Sequence, residues 1–113
     1  VEEGRITRSE LVDLYATTPA KNNGIGDRKG HIGIGYDADI TIYDPNKNMT
    51  ISNEISHQGV HYNSYEGFEQ KGVVDTVLLR GEVIVKDGEY VGNKGDGEFI
   101  PGKAFGLPYE NVK

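Results

Sequence analysis

The stretch VVDTVLLRGEVIVKDGEYVG, residues 73–92, carries the strongest β-sheet signal in the chain. Its three apolar runs are separated by Arg80-Gly81 and by Asp87-Gly88. An Asp-Gly pair between two strands favours a tight type I′ turn, because glycine adopts a positive φ without steric cost. The pattern therefore predicts consecutive antiparallel strands that are joined by short turns.

Further strands are predicted upstream, in KGHIGIGYDADITIYDP, residues 29–45. Isoleucine alternates with smaller residues at positions 32 and 34, and again at positions 40 and 42, as in half-buried strands. We expect Asp44-Pro45 to close the second of these strands. The segment KNMTISNEIS, residues 47–56, fits another short strand, and residues 57–72 have the composition of a long loop.

One helix is predicted near the start, in ITRSELVDLYATTP, residues 6–19. Thr7 and Glu10 have the spacing of a capping box, in which each side chain bonds a free backbone N–H at the helix start. An apolar stripe at helical spacing follows, formed by Leu11, Val12, Leu14 and Tyr15. We expect Pro19 to end this helix, and a short second helical turn to run from Thr18 to Gly24. A single amphipathic helix of this length needs a partner surface.

Composition limits the classes of function. The chain has 113 residues, which allows one domain at most, and a formal net charge of −6. That charge disfavours a nucleic acid or an anionic membrane as partner, because both attract basic surfaces. The absence of cysteine excludes disulfides, a thiolate nucleophile and cysteine-type zinc sites. The chain opens VEEGRIT, without methionine, which fits either ordinary processing or a segment of a longer protein, and we expect the latter.

Three aspartates, Asp37, Asp39 and Asp44, fall within eight residues and raise the question of a metal site. A calcium loop would need a third acidic or amide ligand and then a glycine, but Thr41 and Ile42 stand at those positions. The alternating isoleucines favour a strand instead. We therefore interpret these aspartates as turn and strand-edge residues.

Two further patterns resemble known sites only in part. GHIGIGYD, residues 30–37, is rich in glycine, but it matches neither phosphate-binding motif and precedes a predicted strand rather than a helix. His57 and His61 have a zinc-like spacing, although Gly59 between them argues against the helix that such a pair requires. The sequence therefore assigns no catalytic, no cofactor-binding and no metal-ligating residue.

Residues 29–45 resemble the segment that follows the barrel in enzymes of the amidohydrolase superfamily, which has a KGxIxxGxDADxxxxDP pattern. Residues 57–101, with YNSYEG and the RG and DG turns, resemble the cyclic-amide branch, the dihydropyrimidinases and hydantoinases. The resemblance implies a mainly β fold with one N-terminal helix, the C-terminal part of the small β-sandwich that accompanies a (β/α)8 barrel. Residues 1–29 would be the last barrel helix and its connection, residues 30–92 the sandwich strands, and residues 93–113 an extended tail.

The same resemblance implies a parent protein that is a cytoplasmic hydrolase and opens dihydropyrimidines or hydantoins. Such enzymes use two divalent metal ions, usually zinc, whose histidine, lysine and aspartate ligands have no counterpart in this sequence. The partners would be the remainder of the parent chain and further copies of it, in a tetramer. A non-catalytic dihydropyrimidinase-like scaffold protein, which shares this segment, is the alternative.

The tail from Asn93 onward is rich in glycine and proline, yet it carries four large apolar residues, Phe99, Phe105, Leu107 and Tyr109. Aromatic residues along such a segment are suited to anchoring in a groove of a neighbour. We therefore expect the tail to serve assembly. A disordered terminus is the alternative.

Overall fold

The computed structural model describes residues 1, 3–56 and 59–103. A helical segment is followed by one antiparallel sheet of four strands in the order β1-β2-β3-β4. The helical segment comprises α1 (Arg8–Val12), a π-helical turn (Asp13–Thr17) and α2 (Thr18–Asn22). The strands are β1 (Ile40–Thr50), β2 (Glu69–Leu79), β3 (Glu82–Lys86) and β4 (Glu89–Tyr90). The predicted fold class, mainly β with one N-terminal helix, is confirmed.

The predicted capping box begins the helical segment. The Thr7 backbone N–H donates to Glu10 Oε2 over 2.7 Å, and the Glu10 backbone N–H donates to Thr7 Oγ1 over 3.2 Å. Two N–H groups that have no partner within the helix are thereby satisfied, which fixes the helix start locally.

The prediction that Pro19 ends the first helix is wrong. Thr17 and Thr18 both keep right-handed helical dihedrals, and the Thr18 N–H donates to the Asp13 carbonyl, five residues earlier. In a regular α-helix the proline ring would clash with the carbonyl four residues before it. The wider π turn ahead of Pro19 relieves that clash, and the helix continues to Asn22.

Gly24 stops the helix, as predicted. Its φ is +69°, a value that glycine adopts without strain. Its N–H donates to the Lys21 carbonyl, and the Ile25 N–H donates to the Ala20 carbonyl, both over 3.0 Å. This pair of bonds is a Schellman motif, which satisfies the last carbonyls of the helix.

Residues 30–39 form turns, so the strand predicted through Ile32 and Ile34 is wrong. Both side chains are exposed, Ile34 almost completely. Gly30 and Gly35 have φ values of +81° and +90°, which interrupt the extended backbone that a strand requires. The alternation of isoleucine in this stretch therefore has no structural counterpart, and the first strand begins at Ile40.

Asp44-Pro45 does not close a strand, contrary to prediction. β1 continues to Thr50 through an irregularity between Asp44 and Asn48, after which its last three residues pair with the first three of β2. The Asn46 N–H donates to Asp44 Oδ1 over 2.9 Å and stabilises the bulged segment. Proline is tolerated at this position because β1 is an edge strand and the ladder is already interrupted. Of the short strand predicted in residues 47–56, residues 47–50 form the end of β1, and residues 51–56 lie outside any strand.

The two predicted tight turns are both present. Arg80 and Gly81 have φ values of 48° and 86°, and Asp87 and Gly88 have values of 52° and 79°. Positive φ at both central positions is the signature of the type I′ turn. These turns connect β2 to β3 and β3 to β4.

Little of this chain is buried. Ala20 is the one buried hydrophobic side chain among the residues that the structure describes. Cross-strand pairs align apolar residues on one sheet face, including Ile40 with Leu78 and Leu78 with Val83, but Val83 is 43% exposed. The apolar stripe of the helix is also exposed to solvent, as the exposed side chains of Leu14 and Tyr15 show. In the described ranges, no helix is long and apolar enough to cross a membrane.

The first part of the predicted tail, residues 93–103, contacts its own chain. The Lys103 N–H donates to the Gly24 carbonyl, and the Arg80 guanidinium donates to the Asp96 carbonyl. Phe99 is exposed. The remaining apolar residues of the tail, from Phe105 on, lie outside the described residues, so its role in assembly stays a prediction.

Candidate functional site at the helix–sheet junction

The charged cluster before β1 is built around Asp37 and Asp39. Lys29 Nζ lies 2.8 Å from Asp37 Oδ2 and also forms an ion pair with Asp39. Arg28 Nε donates to Asp37 Oδ2 over 2.7 Å. Asp39 Oδ1 accepts the Arg80 backbone N–H over 2.8 Å. The cluster thus joins the connection after the helix to the turn between β2 and β3.

Local backbone bonds hold these side chains in place. The Asp37 N–H donates to the Arg28 carbonyl over 3.0 Å, so the two ends of the turn region lie side by side. The Gly81 N–H donates to the Ala38 carbonyl over 3.0 Å, which extends the β1–β2 pairing up to the cluster. The Lys29 side chain is only 12% exposed and lies between the two carboxylates.

The ion pairs shift the pKa values of two members. The hydrogen bond from Lys29, aided by that from Arg28, lowers the pKa of Asp37, although partial burial opposes the shift. Burial acts to lower the pKa of Lys29, but its hydrogen bonds to Asp37 and Asp39 outweigh burial and raise it. Both shifts favour the charged forms, so Lys29 and Asp37 stay ionised over the neutral pH range.

The structure does not bring the three aspartates together around a common point. Asp37 and Asp39 face Lys29, whereas Asp44 lies further along β1 and accepts the Asn46 N–H. The interpretation of Asp39 as a turn residue is confirmed by its bond with the Arg80 N–H. The side chains of Lys29 and Arg28 therefore occupy the space in which a metal ion would bind Asp37 and Asp39.

Sequence reasoning identified the aspartates but missed their partners, Lys29 and Arg80. Arg80 is 41 residues from Asp39 along the chain, and only the β1–β2 pairing brings them together. A signal was available in the sequence, because each of these basic residues immediately precedes a turn glycine, in Lys29-Gly30 and Arg80-Gly81.

The glycine-rich stretch 30–37 serves close packing rather than anion binding. A Cβ atom at Gly30 would lie 2.5 Å from Ala20 Cβ and 2.6 Å from the Ala16 carbonyl oxygen. The Gly30 carbonyl accepts the Thr17 hydroxyl over 3.1 Å. Gly30 thus allows the connection to approach the helix.

The histidines form no cluster in the described part of the chain. His31 packs edge-to-face on Tyr36, with ring centroids 5.2 Å apart. His61 is exposed, and His57, which has a zinc-like spacing from it in the sequence, lies outside the described residues. Across residues 1, 3–56 and 59–103, no three histidine, aspartate or glutamate side chains are placed to hold a metal ion.

A cavity of about 750 Å³ lies between the helix, its connection and the start of β1. Its walls are largely apolar, and its polar side chains include Lys29 and Asp39, which are paired with each other. The charged side chains that line the cavity are thus engaged with each other, and His31, which also lines it, packs on Tyr36.

Residues 2–85 match the sequence profile of the amidohydrolase family. The chain belongs to the amidohydrolase family. The resemblance read from residues 29–45 is thereby confirmed, and the Lys29–Asp37–Asp39 cluster lies within the matched region of this amidohydrolase segment.

Similarity to individual amidohydrolases extends over most of the chain. It is 50% identical over 100 residues to the D-hydantoinase of Ralstonia pickettii, covering 88% of this chain and 22% of the relative. It is 50% identical over 99 residues to the D-hydantoinase of Rhizobium radiobacter, again covering 88% and 22%. The crystal structure of dihydropyrimidinase from Brevibacillus agri superposes with a TM-score of 0.91 at 39% identity, covering 96% of this chain and 23% of that chain. The segment thus spans about a fifth of the length of the relatives that it matches.

Proposed function

We propose that this chain is a structural segment of a metal-dependent hydrolase that opens cyclic amides, dihydropyrimidines or hydantoins. The observation that carries the proposal is the similarity of nearly the whole chain to proteins named D-hydantoinase and dihydropyrimidinase. In this role the segment contributes strands of the small β-sandwich and the last helix of the barrel. It supports chemistry that takes place elsewhere in the longer protein.

The open apolar surfaces support this role. Ile42 and Val74, on neighbouring strands, are 50% and 40% exposed, and Tyr15 of the helix is 82% exposed. Exposed apolar surface on this scale is typical of a face that another element covers. We propose that the remainder of the longer chain covers the sheet and the helix.

The described residues do not fit the two divalent metal ions, zinc by preference, that such an enzyme would use. Asp37 and Asp39 are occupied by Lys29, and the histidines within residues 1, 3–56 and 59–103 do not converge. The ligands would therefore come from outside this segment. We propose further that the longer protein is a cytoplasmic homotetramer.

The proposal is tested on the longer protein that carries this segment, purified and incubated with dihydrouracil and, separately, with hydantoin. Ring opening is followed by loss of absorbance, with and without a chelator. We expect hydrolysis that the chelator removes, and no hydrolysis by residues 1–113 alone. A correctly folded, metal-supplied protein that opens neither ring would overturn the proposal and favour the non-catalytic scaffold.

A further inference from the structure

The backbones of the helix and of the sheet are well separated. In the described part of the chain, the helical turns lie close to one another and the strands lie close to one another, but the backbone of no helical turn lies close to that of a strand. The cavity of about 750 Å³ lies between Val12 and Ala16 of the helix and Ile40 of β1. Within this segment, links other than backbone contacts between helix and strands must therefore set the position of the helix relative to the sheet.

One link is the charged cluster that surrounds Lys29. It ties the connection after the helix to Asp39 and, through Asp39, to the Arg80 backbone at the β2–β3 turn. A single link between two bodies leaves a hinge, because rotation about the link costs little. A second link at a separate point is needed to fix the angle.

Residues 93–103, which we call the strap, begin at that same β2–β3 turn. The Asn93 N–H donates to Asp96 Oδ2 over 2.6 Å and closes a turn at the start of the strap. The Arg80 guanidinium donates to the Asp96 carbonyl. Further along, the Glu98 carboxylate lies 4.0 Å from the guanidinium groups of both Arg28 and Arg80.

The strap ends at the C-terminus of the helix. The Lys103 N–H donates to the Gly24 carbonyl over 2.8 Å, and Lys103 Nζ forms an ion pair with Asp27. Gly102 lies so close to the helix that a Cβ atom there would be 2.5 Å from the Asn23 carbonyl oxygen. Glycine at position 102 is therefore required by the close approach of the two backbones.

We infer that the strap is the second link, a device that holds the helix at a fixed position against the sheet. It joins the β2–β3 turn to the helix C-terminus, and so links a helix and a sheet whose backbones stay apart within the described residues. Its docking surface is formed by Arg80 at one end and by Asn23, Gly24 and Asp27 at the other. Release of the strap leaves the Lys29 cluster as a hinge and frees the helix to open independently of the strands.

The test compares two alanine substitutions within the strap, made in the longer protein that carries this segment. Gly102→Ala forces a Cβ atom against the Asn23 carbonyl, whereas Gly97→Ala places one in open space. Neither glycine has a positive φ, so the two substitutions differ only in what the new methyl group meets. Amide hydrogen exchange, measured by mass spectrometry on peptides, reports opening of the helix and of the strands separately.

With Gly102→Ala, we expect the amides of residues 11–25 to exchange roughly three- to tenfold faster, the effect of losing about one hydrogen bond at the docking site. The amides of β2 and β3 should exchange at their original rate. Gly97→Ala should change neither region. Unchanged helix exchange in Gly102→Ala, or an equal increase in helix and strands, would overturn the inference.

A charge exchange at the helix end provides an independent measurement if Gly102→Ala does not fold. Lys103→Glu places a carboxylate beside Asp27, and the helix amides should exchange roughly two- to fivefold faster, the range of a surface ion pair. Adding Asp27→Lys restores the opposite charges and should restore the original exchange. If the double variant remains as fast as Lys103→Glu, or if neither variant affects the helix, the strap does not hold it.

Discussion

Tyr43 lies across Gly72 on the neighbouring strand, and its ring occupies the space that a side chain at position 72 would need. Gly72 is buried and has a φ of +83°. The Tyr43 hydroxyl donates to the Lys71 carbonyl over 3.4 Å. This contact lies next to the interruption of the β1–β2 ladder, where an aromatic ring that covers a strand glycine protects the backbone.

Gly72→Ala should lower the free energy of unfolding by about 2–4 kcal/mol, because it combines a left-handed backbone with overlap of the Tyr43 ring. Gly67→Ala is the matched control, since Gly67 has a φ of +80° but nothing near its Cβ position. It should cost only about 1–2 kcal/mol. Urea denaturation measures both. Equal losses in the two variants would show that the Tyr43 contact adds nothing.

Gly88→Val tests the turn between β3 and β4. Gly88 has a φ of +79° and open space around its Cβ position, so the penalty is purely conformational. A β-branched residue in this region is strongly disfavoured, and we expect a loss of more than about 1–2 kcal/mol, measured as a lower Tm. Gly97→Val, at a glycine without positive φ, should leave the Tm almost unchanged. An unaltered Tm in Gly88→Val would mean that the turn does not form.

Asp39→Asn tests whether this residue is structural. The amide oxygen can still accept the Arg80 N–H, while the ion pair with Lys29 is lost. The free energy of unfolding should fall by no more than roughly 1–2 kcal/mol, with the same result in calcium and in chelator. Asp39→Ala should cost more, because the Arg80 N–H then has no acceptor. A loss that appears only with added calcium would restore the metal interpretation.

Stability should depend on pH through the Lys29–Asp37 ion pair. The pKa of Asp37 is lowered in the folded chain, so its stabilisation is present above the unfolded value of about 3.9 and is lost as the pH falls through the folded value. The pKa of Lys29 is raised, so its stabilisation is present below about 10.4 and is lost as the pH rises through the folded value.

Denaturation midpoints between pH 2 and pH 6 measure the acidic side of this dependence. Asp37→Asn should flatten the loss of stability on acidification relative to the unmodified chain. Asp44→Asn is the control, because Asp44 accepts a backbone N–H and takes part in none of the ion pairs formed by the described residues. If Asp37→Asn and Asp44→Asn change the acid dependence equally, the ion pair contributes nothing specific.

The predicted role of the tail in assembly is tested by two truncations of the longer protein. Ending the longer chain after Lys103 keeps the strap and removes everything from residue 104 onward, whereas ending it after Gly92 removes the strap as well. If the aromatic residues of the tail anchor a neighbouring subunit, the first truncation alone should lower the mass measured by light scattering. An unchanged oligomer with unchanged stability in both truncations would exclude the assembly role.

Much of the local structure was determined by the sequence alone. The Thr7–Glu10 capping box, the stop at Gly24 and the turn at Asp87-Gly88 all depend on interactions within a few residues. Such interactions can be predicted from the segment itself, because they need no partner that is distant in the sequence. The family could likewise be recognised from residues 29–45, since the spacing of their glycines and aspartates is a property of the sequence itself.

Tertiary structure decided the points at which these local signals compete with distant contacts. Gly30 and its neighbours form turns rather than a strand because the connection must pass close to Ala20 of the helix. Asp39 accepts a hydrogen bond from the backbone N–H of Arg80, 41 residues further along the chain. This bond can form only when β1 and β2 are paired in the sheet. The strap reaches Gly24 over a still longer separation. Contacts of this kind require the closure of long loops. The hydrophobic periodicity of one segment does not indicate which distant residue the segment will contact.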